Sequence, residues 1–458
     1  MNLTDDKRFI GAVLLIVLCA ASLTFSFTFQ SQEGPAGPPA LNAKTRAEVV
    51  QKIGELLVKL YIFPDKAKDM QALLVKKLQA GEYDKLDDVQ ALARTLTIDL
   101  QSVSRDRHIR VSYNPEAVKR IRARESQSPA DREKERQRAV EAERQRNFGF
   151  EKVEILDGNI GYLDLRAFSG SREAGETAVA AMNFLANAGA VIIDLRRNGG
   201  GDPAMIQLIS SYFLRDQTHL NSFENRGEDT LQQSWTLPFV PGRTLFDSDL
   251  YILTSRRTFS AAEEFTYNLK SLKRATIVGE TTGGGAHPGG SRIVDDGFLV
   301  WIPTGRAVNP ITKTNWEGTG IAPDVQVAQD KALDKARALA LEKLGQKTTD
   351  EQAKARLTWA LNALKAKTEP VAVDEPVLKK YVGRYGPGEV ILENGQLLTV
   401  IEGRKLTMIP VSQTYFVLEG DIETQVEFVP GKDGRGFEVI AHLADGGTQR
   451  LGRQAPTR

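Results

Sequence analysis

Two short segments carry residue types that are suited to acyl transfer. Residues 194–201 (DLRRNGGG) follow an apolar run and end in three glycines, whose backbone amides can approach a ligand closely. Residues 258–263 (TFSAAE) follow a second apolar run and place Ser260 where a helix is expected to begin. A serine at a strand-to-helix turn and a loop of accessible amides are two parts of a serine hydrolase site.

Ser260 has two interpretations that are partly compatible. Ser260 and Glu263 fit a helix capping box, with the serine at the N-cap and the glutamate at N3. As a nucleophile, Ser260 would have the amide of Ala261 beside its oxyanion, because a helix N-terminus stabilises negative charge. Gly199 or Gly200 would supply the second amide donor, and a plain tight turn is the alternative for these glycines.

A serine nucleophile needs a general base, and the chain has four histidines: His108, His219, His287 and His442. His108 follows a predicted helical region, and His287 lies in the glycine-rich loop 283–290. Residue type and position leave both open as the base, while the other two are expected to be structural. Glu317 is the candidate acid that would orient an imidazolium, and a solvated turn is its alternative.

Composition excludes several classes of function. The 458 residues include 60 basic and 59 acidic side chains, so no global field favours nucleic acid as a partner. The only cysteine is Cys19, which lies inside an apolar run. Cysteine nucleophiles, zinc fingers, iron–sulfur sites and disulfides are therefore not expected in the globular part.

The N-terminus has the pattern of an export signal. Lys7 and Arg8 precede an uncharged apolar run, residues 9–29, as in the charged and apolar regions of a signal peptide. The run is also long enough for an uncleaved membrane anchor. Both interpretations predict an exported protein, periplasmic, secreted or membrane-anchored, with its globular part outside the cytoplasm.

Pattern changes along the chain predict seven segments and an α/β fold with a mostly parallel sheet. These are a signal peptide or anchor (1–30), a Gly/Pro linker (31–43), a helical bundle (44–106), a charged helical connector (107–148), an alternating α/β core (149–329), a helical extension (330–370) and an antiparallel β barrel or sandwich (374–458). The last segment offers no obvious nucleophile or metal cluster and is expected to have an accessory or binding role.

Four blocks together resemble the tail-specific, or C-terminal processing, serine peptidases. They are DLRRNGGG (194–201), TFSAAEEF (258–265), IVGETTGGGAHPGG (277–290) and WEGTGIAPDV (316–325). Loop 281–290 contains no lysine, so the chain looks like the branch of tricorn protease and the interphotoreceptor retinoid-binding protein rather than the Ser–Lys branch. Residues 60–67 (LYIFPDKA) are similar to the helical leader of the retinoid-binding branch.

This resemblance implies a crotonase-like αβ core and a set of roles at the site. The roles fall on Ser260 as nucleophile, His108 as base, Glu317 as assisting acid, and the amides of Ala261 and of Gly199 or Gly200 as oxyanion donors. Arg107 stands where the tricorn pattern has a serine, so the fourth member of the tetrad falls to Ser104 or Asp106, and His287 is a reserve base or touches substrate.

The implied function is that of a serine endopeptidase that hydrolyses peptide bonds of exported proteins or peptides through an acyl-enzyme. The resemblance implies no metal and no organic cofactor, and it leaves the oligomeric state open. A non-catalytic carrier of apolar ligands on the same fold is the alternative, since retinoid-binding relatives serve as carriers.

Overall fold

The computed structural model describes residues 41–227, 231–431 and 436–454. The predicted signal peptide or anchor, most of the predicted linker and Cys19 lie outside these residues. In the part of the chain that is described, no helix combines the length and the apolarity needed to cross a membrane.

Three helices open the described chain: α1 (Ala43–Leu60), α2 (Pro64–Gln79) and α3 (Val89–Ser104). Their apolar faces meet in one buried cluster with Ile109, Val111 and a later β-hairpin. Arg105 ends α3 with φ +59°, in the left-handed region, so the chain reverses at once. The reversal leads through Asp106 and His108 into the short strand β1 (Arg110–Tyr113).

Two exposed helices follow, α4 (Pro115–Ser126) and α5 (Pro129–Arg144). Both start at a proline, which is favoured at the first helical position. Helix α5 has no buried residue, consistent with a solvated connector. An ion pair of 2.6 Å between Arg136 and Glu173 ties α5 to the next helix of the core.

The α/β core contains all of the parallel strand pairs in the described residues. Its elements are β2 (Phe150–Leu156), β3 (Ile160–Leu165), α6 (Ser171–Phe184), β4 (Ala190–Asp194), α7 (Pro203–Ser211), β5 (His219–Asn225), β6 (Leu231–Trp235), β7 (Asp249–Thr254), α8 (Ala261–Ser271), β8 (Ala275–Gly279), β9 (Gly289–Ile293), β10 (Phe298–Pro303), β11 (Gly305–Val308) and β12 (Val325–Gln326).

Six of these strands form the main sheet, in the order β12-β8-β7-β4-β3-β2. All pairs are parallel except β3 with β2. Every residue of β3 and β4 is buried, as expected for strands covered on both faces. Because β4 and β7 are parallel neighbours, with Asp194 opposite Leu253, the segments after their carboxyl ends meet at one sheet edge. This edge receives the glycine segment and Ser260.

A smaller sheet joins the N-terminal region to the core. Strand β1 pairs antiparallel with β10, and β10 pairs with β9, so Arg110 lies opposite Trp301. This pairing links residues nearly two hundred positions apart and carries His108 to the loop that precedes β9.

The C-terminal part begins with three helices, α9 (Ala332–Lys347), α10 (Glu351–Thr368) and α11 (Glu375–Tyr381), and the first two pack on the main sheet. Eight antiparallel strands follow in sequential order: β13 (Gly383–Tyr385), β14 (Gly388–Glu393), β15 (Gln396–Ile401), β16 (Arg404–Pro410), β17 (Tyr415–Leu418), β18 (Thr424–Pro430), β19 (Phe437–Leu443) and β20 (Thr448–Leu451). A bridge between Tyr385 and Arg453 brings the ends of this sheet together, so it is a nearly closed barrel rather than a sandwich. The predicted fold class is confirmed.

Candidate active site

Ser260 lies at a sharp turn immediately before helix α8. Its backbone has φ +54° and ψ −123°, a conformation that a residue with a Cβ adopts only at an energetic cost. The turn is held from both sides, because the Phe259 N–H donates to the carbonyl of Asn198 and the Ser260 N–H donates to the carboxylate of Glu263. A strained serine between a strand and a helix is the local geometry of a nucleophile elbow.

Two backbone amides near Ser260 are free to bind an oxyanion. Within the described ranges, neither the Ala261 N–H nor the Gly199 N–H donates a hydrogen bond. Gly200 packs directly on the turn, and a Cβ added to it would lie 2.9 Å from the Ala261 nitrogen. The Gly200 N–H itself donates to Asn198 Oδ1 at 2.8 Å, so of the two glycines Gly199 has the available amide.

Asn198 shapes the glycine segment, a role that the residue pattern alone did not indicate. Its side chain is fully buried, donates to the carbonyl of Leu165 at 2.9 Å and accepts from Gly200. Its carbonyl also accepts the Phe259 N–H. A single asparagine between an apolar strand and three glycines is the sequence signal that could have identified it.

Glu263 connects the Ser260 turn to the histidine-bearing loop. This buried carboxylate accepts hydrogen bonds from Gly284 N–H at 2.7 Å, Gly285 N–H at 2.8 Å and the Thr282 hydroxyl, besides Ser260 N–H at 3.0 Å. Burial raises the pKa of Glu263, while the four donors favour its ionised form. The residue predicted as a helix cap therefore also fixes the loop that precedes His287.

His108 lies against the Ser260 turn and opposite Glu317. Its ring is 4.9 Å from the ring of Phe259, centroid to centroid. Its Nδ1 is 3.6 Å from Glu317 Oε2 and 3.8 Å from Asp106 Oδ1, and this buried nitrogen has no hydrogen-bond partner in the described chain. Those same described ranges contain no hydrogen bond between the Ser260 hydroxyl and an imidazole.

Asp106 contacts both candidate bases. Its carboxylate accepts from the backbone N–H of His108 at 3.0 Å and lies 2.8 Å from His287 Nδ1, and it also accepts from the hydroxyl of Tyr61 at 3.2 Å. Ser104 accepts the Asp106 N–H at 3.1 Å and so holds the turn. Of the two predicted helpers, Asp106 is therefore the one that touches the histidines.

Glu317 is held by three backbone amides. Oε1 accepts from Arg107 N–H at 3.2 Å, and Oε2 accepts from Ala286 N–H at 2.6 Å and from His287 N–H at 3.1 Å. Its side chain is only 9% exposed. The position is fixed, so Glu317 is not the solvated turn acid of the alternative interpretation.

The two remaining histidines lie elsewhere. His219 in β5 stacks on Trp235 with centroids 4.7 Å apart, and His442 in β19 pairs with Glu427 at 2.9 Å. The predicted residues therefore form two groups: Ser260 with its amides, and His108 with Asp106, His287 and Glu317. The Glu263 hydrogen bonds and the Phe259 ring join these groups.

A surface cavity of about 630 Å³ opens beside His108. Its lining combines aromatic side chains, among them Phe259 and Trp301, with basic ones, among them Arg107 and Arg256. His287 does not line this cavity: its ring packs on Phe63 and is 6% exposed. Of the two candidate bases, His108 is therefore the one that borders this cavity, which Phe259 lines and Ser260 does not.

A second buried acid lies on helix α8, one position after Glu263. Glu264 on α8 is 4% exposed, and the amide groups of Asn221 and Asn268 lie near it without completing hydrogen bonds to Glu264 Oε1. Burial raises the pKa of Glu264 to about 7, and the two amides oppose this only in part.

We expect Glu264 to make stability fall with pH. The neutral acid is favoured in the folded state, so its contribution is complete below the unfolded pKa of 4.5 and is lost as pH rises through about 7. Glutamine does not titrate, so the free energy of unfolding of a Glu264→Gln variant should not show this loss. Between pH 4.5 and pH 8, wild type should therefore lose about 3 kcal/mol of stability relative to the variant. Urea unfolding of both proteins at pH 4.5 and pH 8 measures this loss. An equal change in the free energy of unfolding of the two proteins between these pH values would contradict the prediction.

Two family models match the chain. The model of peptidase family S41 matches residues 159–327, which contain Ser260 and Glu317. The model described as the N-terminal domain of Peptidase_S41 in eukaryotic IRBP matches residues 40–156, which contain His108.

Solved structures of low sequence identity also match. A lipoprotein from Streptococcus agalactiae is 16% identical, with a TM-score of 0.42, over 67% of this chain and 98% of that one. A putative peptidase from Parabacteroides merdae is 19% identical, with a TM-score of 0.45, over 66% and 98%. The photosystem II D1 C-terminal processing protease is 14% identical, with a TM-score of 0.38, over 62% and 94%.

The two family models show which family the chain belongs to, since together they match nearly all of residues 40–327, which is more than half of the chain. The resemblance inferred from the four sequence blocks is confirmed. The chain belongs to peptidase family S41 and is a serine peptidase, a hydrolase whose substrates are polypeptides.

Proposed function

We propose that the protein is an endopeptidase that works through an acyl-enzyme on Ser260. The observation that carries this proposal is the strained Ser260 turn flanked by the free amides of Ala261 and Gly199. Ser260 attacks the scissile carbonyl, and the charge that develops on its oxygen is stabilised by these two amides.

His108 accepts the proton of the Ser260 hydroxyl. Its Nδ1 is directed toward Glu317 and Asp106, which leaves Nε2 to act as the base. Glu317 orients the ring and stabilises the imidazolium, and Asp106 anchors the backbone of His108. The long 3.6 Å separation of His108 Nδ1 from Glu317 is expected to shorten when substrate binds, as often occurs at catalytic hydrogen bonds.

We further propose that the substrates are exported proteins or peptides. The support is the charged and apolar pattern of residues 7–29, typical of a signal peptide or an anchor. The alternative function, a carrier of apolar ligands, needs neither a strained serine nor free amides. The strain at Ser260 costs stability and has no use in a carrier.

Labelling with a fluorophosphonate probe separates the two functions. Wild type should be labelled on Ser260, because the probe reacts only with an activated serine, and Ser260→Ala should not be labelled. Circular dichroism should show that the variant is folded, with a loss near 1 kcal/mol from the weakened helix N-cap. Absence of labelling in folded wild type would favour the carrier.

A further inference from the structure

Three side chains from separate segments converge beside the proposed base. The ligand atoms of Asp106, His287 and Glu317 all lie within 4.8 Å of one another. His287 Nδ1 is 2.8 Å from Asp106 Oδ2 and 3.6 Å from Glu317 Oε2, and the side chains of His287, Asp106 and Glu317 are 6%, 0% and 9% exposed, respectively. In a tetrahedral zinc site, ligand atoms are separated by about 3.4 Å. The His287–Asp106 pair is at hydrogen-bonding distance and the His287–Glu317 pair is close to this tetrahedral spacing, so small side-chain movements would bring the three atoms to the spacing of ligands of one ion.

The cluster has an excess of negative charge. In the ranges that the structure describes, neither Asp106 nor Glu317 forms an ion pair with lysine or arginine. Their partners are amides, the Tyr61 hydroxyl and the two imidazoles. Two buried carboxylates without a permanent positive partner are costly, and a divalent cation would neutralise both.

A fourth donor is already beside the cluster. His108 Nδ1 is buried and has no hydrogen-bond partner in the described chain, and it lies 3.6 Å from Glu317 Oε2 and 3.8 Å from Asp106 Oδ1. A set of two imidazole nitrogens and two carboxylate oxygens suits Zn²⁺. Ca²⁺ and Mg²⁺ prefer oxygen ligands in larger number, so they fit this set poorly.

We propose that Asp106, His287 and Glu317 bind one Zn²⁺, that His108 Nδ1 moves in as the fourth ligand, and that this ion inhibits the peptidase. The inhibition rests on the proposed function of His108. A metal on Nδ1 leaves the ring proton on Nε2, so His108 has no lone pair for the Ser260 proton. The ion also occupies Glu317 and adds positive charge where the imidazolium must form. Zn²⁺ here is a reversible inhibitor, and its removal restores the active state.

Binding can be tested apart from catalysis in the full-length Ser260→Ala protein, which keeps all four ligands. Calorimetric titration with ZnCl₂ should show one equivalent bound, and MgCl₂ should show none. Adding His287→Ala should weaken Zn²⁺ binding at least about 100-fold, since loss of even an outer-shell partner costs 10- to 100-fold. His442→Ala is the matched control, because His442 lies in the barrel and pairs with Glu427 rather than with a residue of the cluster, and it should leave the titration unchanged.

A second measurement guards against misfolded variants. Zn²⁺ should raise the Tm of Ser260→Ala and not that of Ser260→Ala with Glu317→Gln, provided that circular dichroism shows both to be folded. No saturable one-to-one binding, or equal affinity after His287→Ala, would overturn the site.

The inhibitory role is tested on zinc-free wild type. Peptide hydrolysis should fall in proportion to Zn²⁺ occupancy and return after EDTA. If peptide hydrolysis is unchanged when Zn²⁺ fully occupies the site, the ion does not inhibit the peptidase, and only the binding site is supported. If zinc-free wild type has no hydrolysis at all, the proposed function fails, whereas the titrations of Ser260→Ala still decide whether the ion binds.

Discussion

Replacing His108 by alanine is expected to reduce kcat by about 10⁴-fold or more, because a triad without its base retains only the contributions of the oxyanion donors and of substrate binding. His287→Ala is expected to cost only about 10- to 100-fold. Its ring positions Asp106 and packs on Phe63, so its loss shifts the site without removing the base. Steady-state hydrolysis of a fluorogenic peptide measures both rates.

The comparison of the two histidines discriminates between the two candidate bases. His442→Ala serves as the control and should keep wild-type kcat, since His442 lies in the barrel strand β19 and pairs there with Glu427. Thermal unfolding must show that His108→Ala is folded before its rate is interpreted. A larger loss in His287→Ala than in His108→Ala would assign the base to His287 instead.

The parts of the fold that local pattern determines could be predicted from the sequence. The buried runs of β3 and β4 and the alternation with helices indicate parallel strands, and parallel neighbours bring their carboxyl ends together. This is why residue patterns alone sufficed to predict that the glycine segment and Ser260 share one site. The barrel could not be told from a sandwich, because closure depends on a single bridge between Tyr385 and Arg453.

The arrangement around His108 could not be predicted from residue patterns. It depends on the pairing of β1 with β10, and the register of strands so distant in sequence is not encoded locally. The contact of Asp106 with His287 follows from that pairing, whereas its hydrogen bond with the His108 N–H is a local contact within one turn. Only the resemblance to a family indicated that His108 would face Glu317, and the residue types alone left His287 equally acceptable.

Gly200 provides a test of the oxyanion site that is independent of the histidines. A Cβ at this position would lie 2.9 Å from both the Ala261 nitrogen and Ser260 Cβ, and 3.0 Å from the carbonyl of Phe259. These atoms belong to the turn itself and have no flexible side chain that could move away. The Gly200 φ of +110° adds strain for alanine.

Gly200→Ala is therefore expected to lower kcat by about 10³-fold and stability by about 1–3 kcal/mol, since it displaces both the nucleophile and the Ala261 amide. Gly199→Ala should cost far less, because its added Cβ would meet no atom within 4 Å and the backbone amide is kept. Gly420→Ala, at φ +82° in the barrel and also without a clash, controls for backbone strain alone. Peptide hydrolysis and urea unfolding of the three variants separate the effects. If Gly200→Ala behaved like Gly420→Ala, with a small loss of stability and full activity, the oxyanion site would not lie between this loop and the helix that follows Ser260.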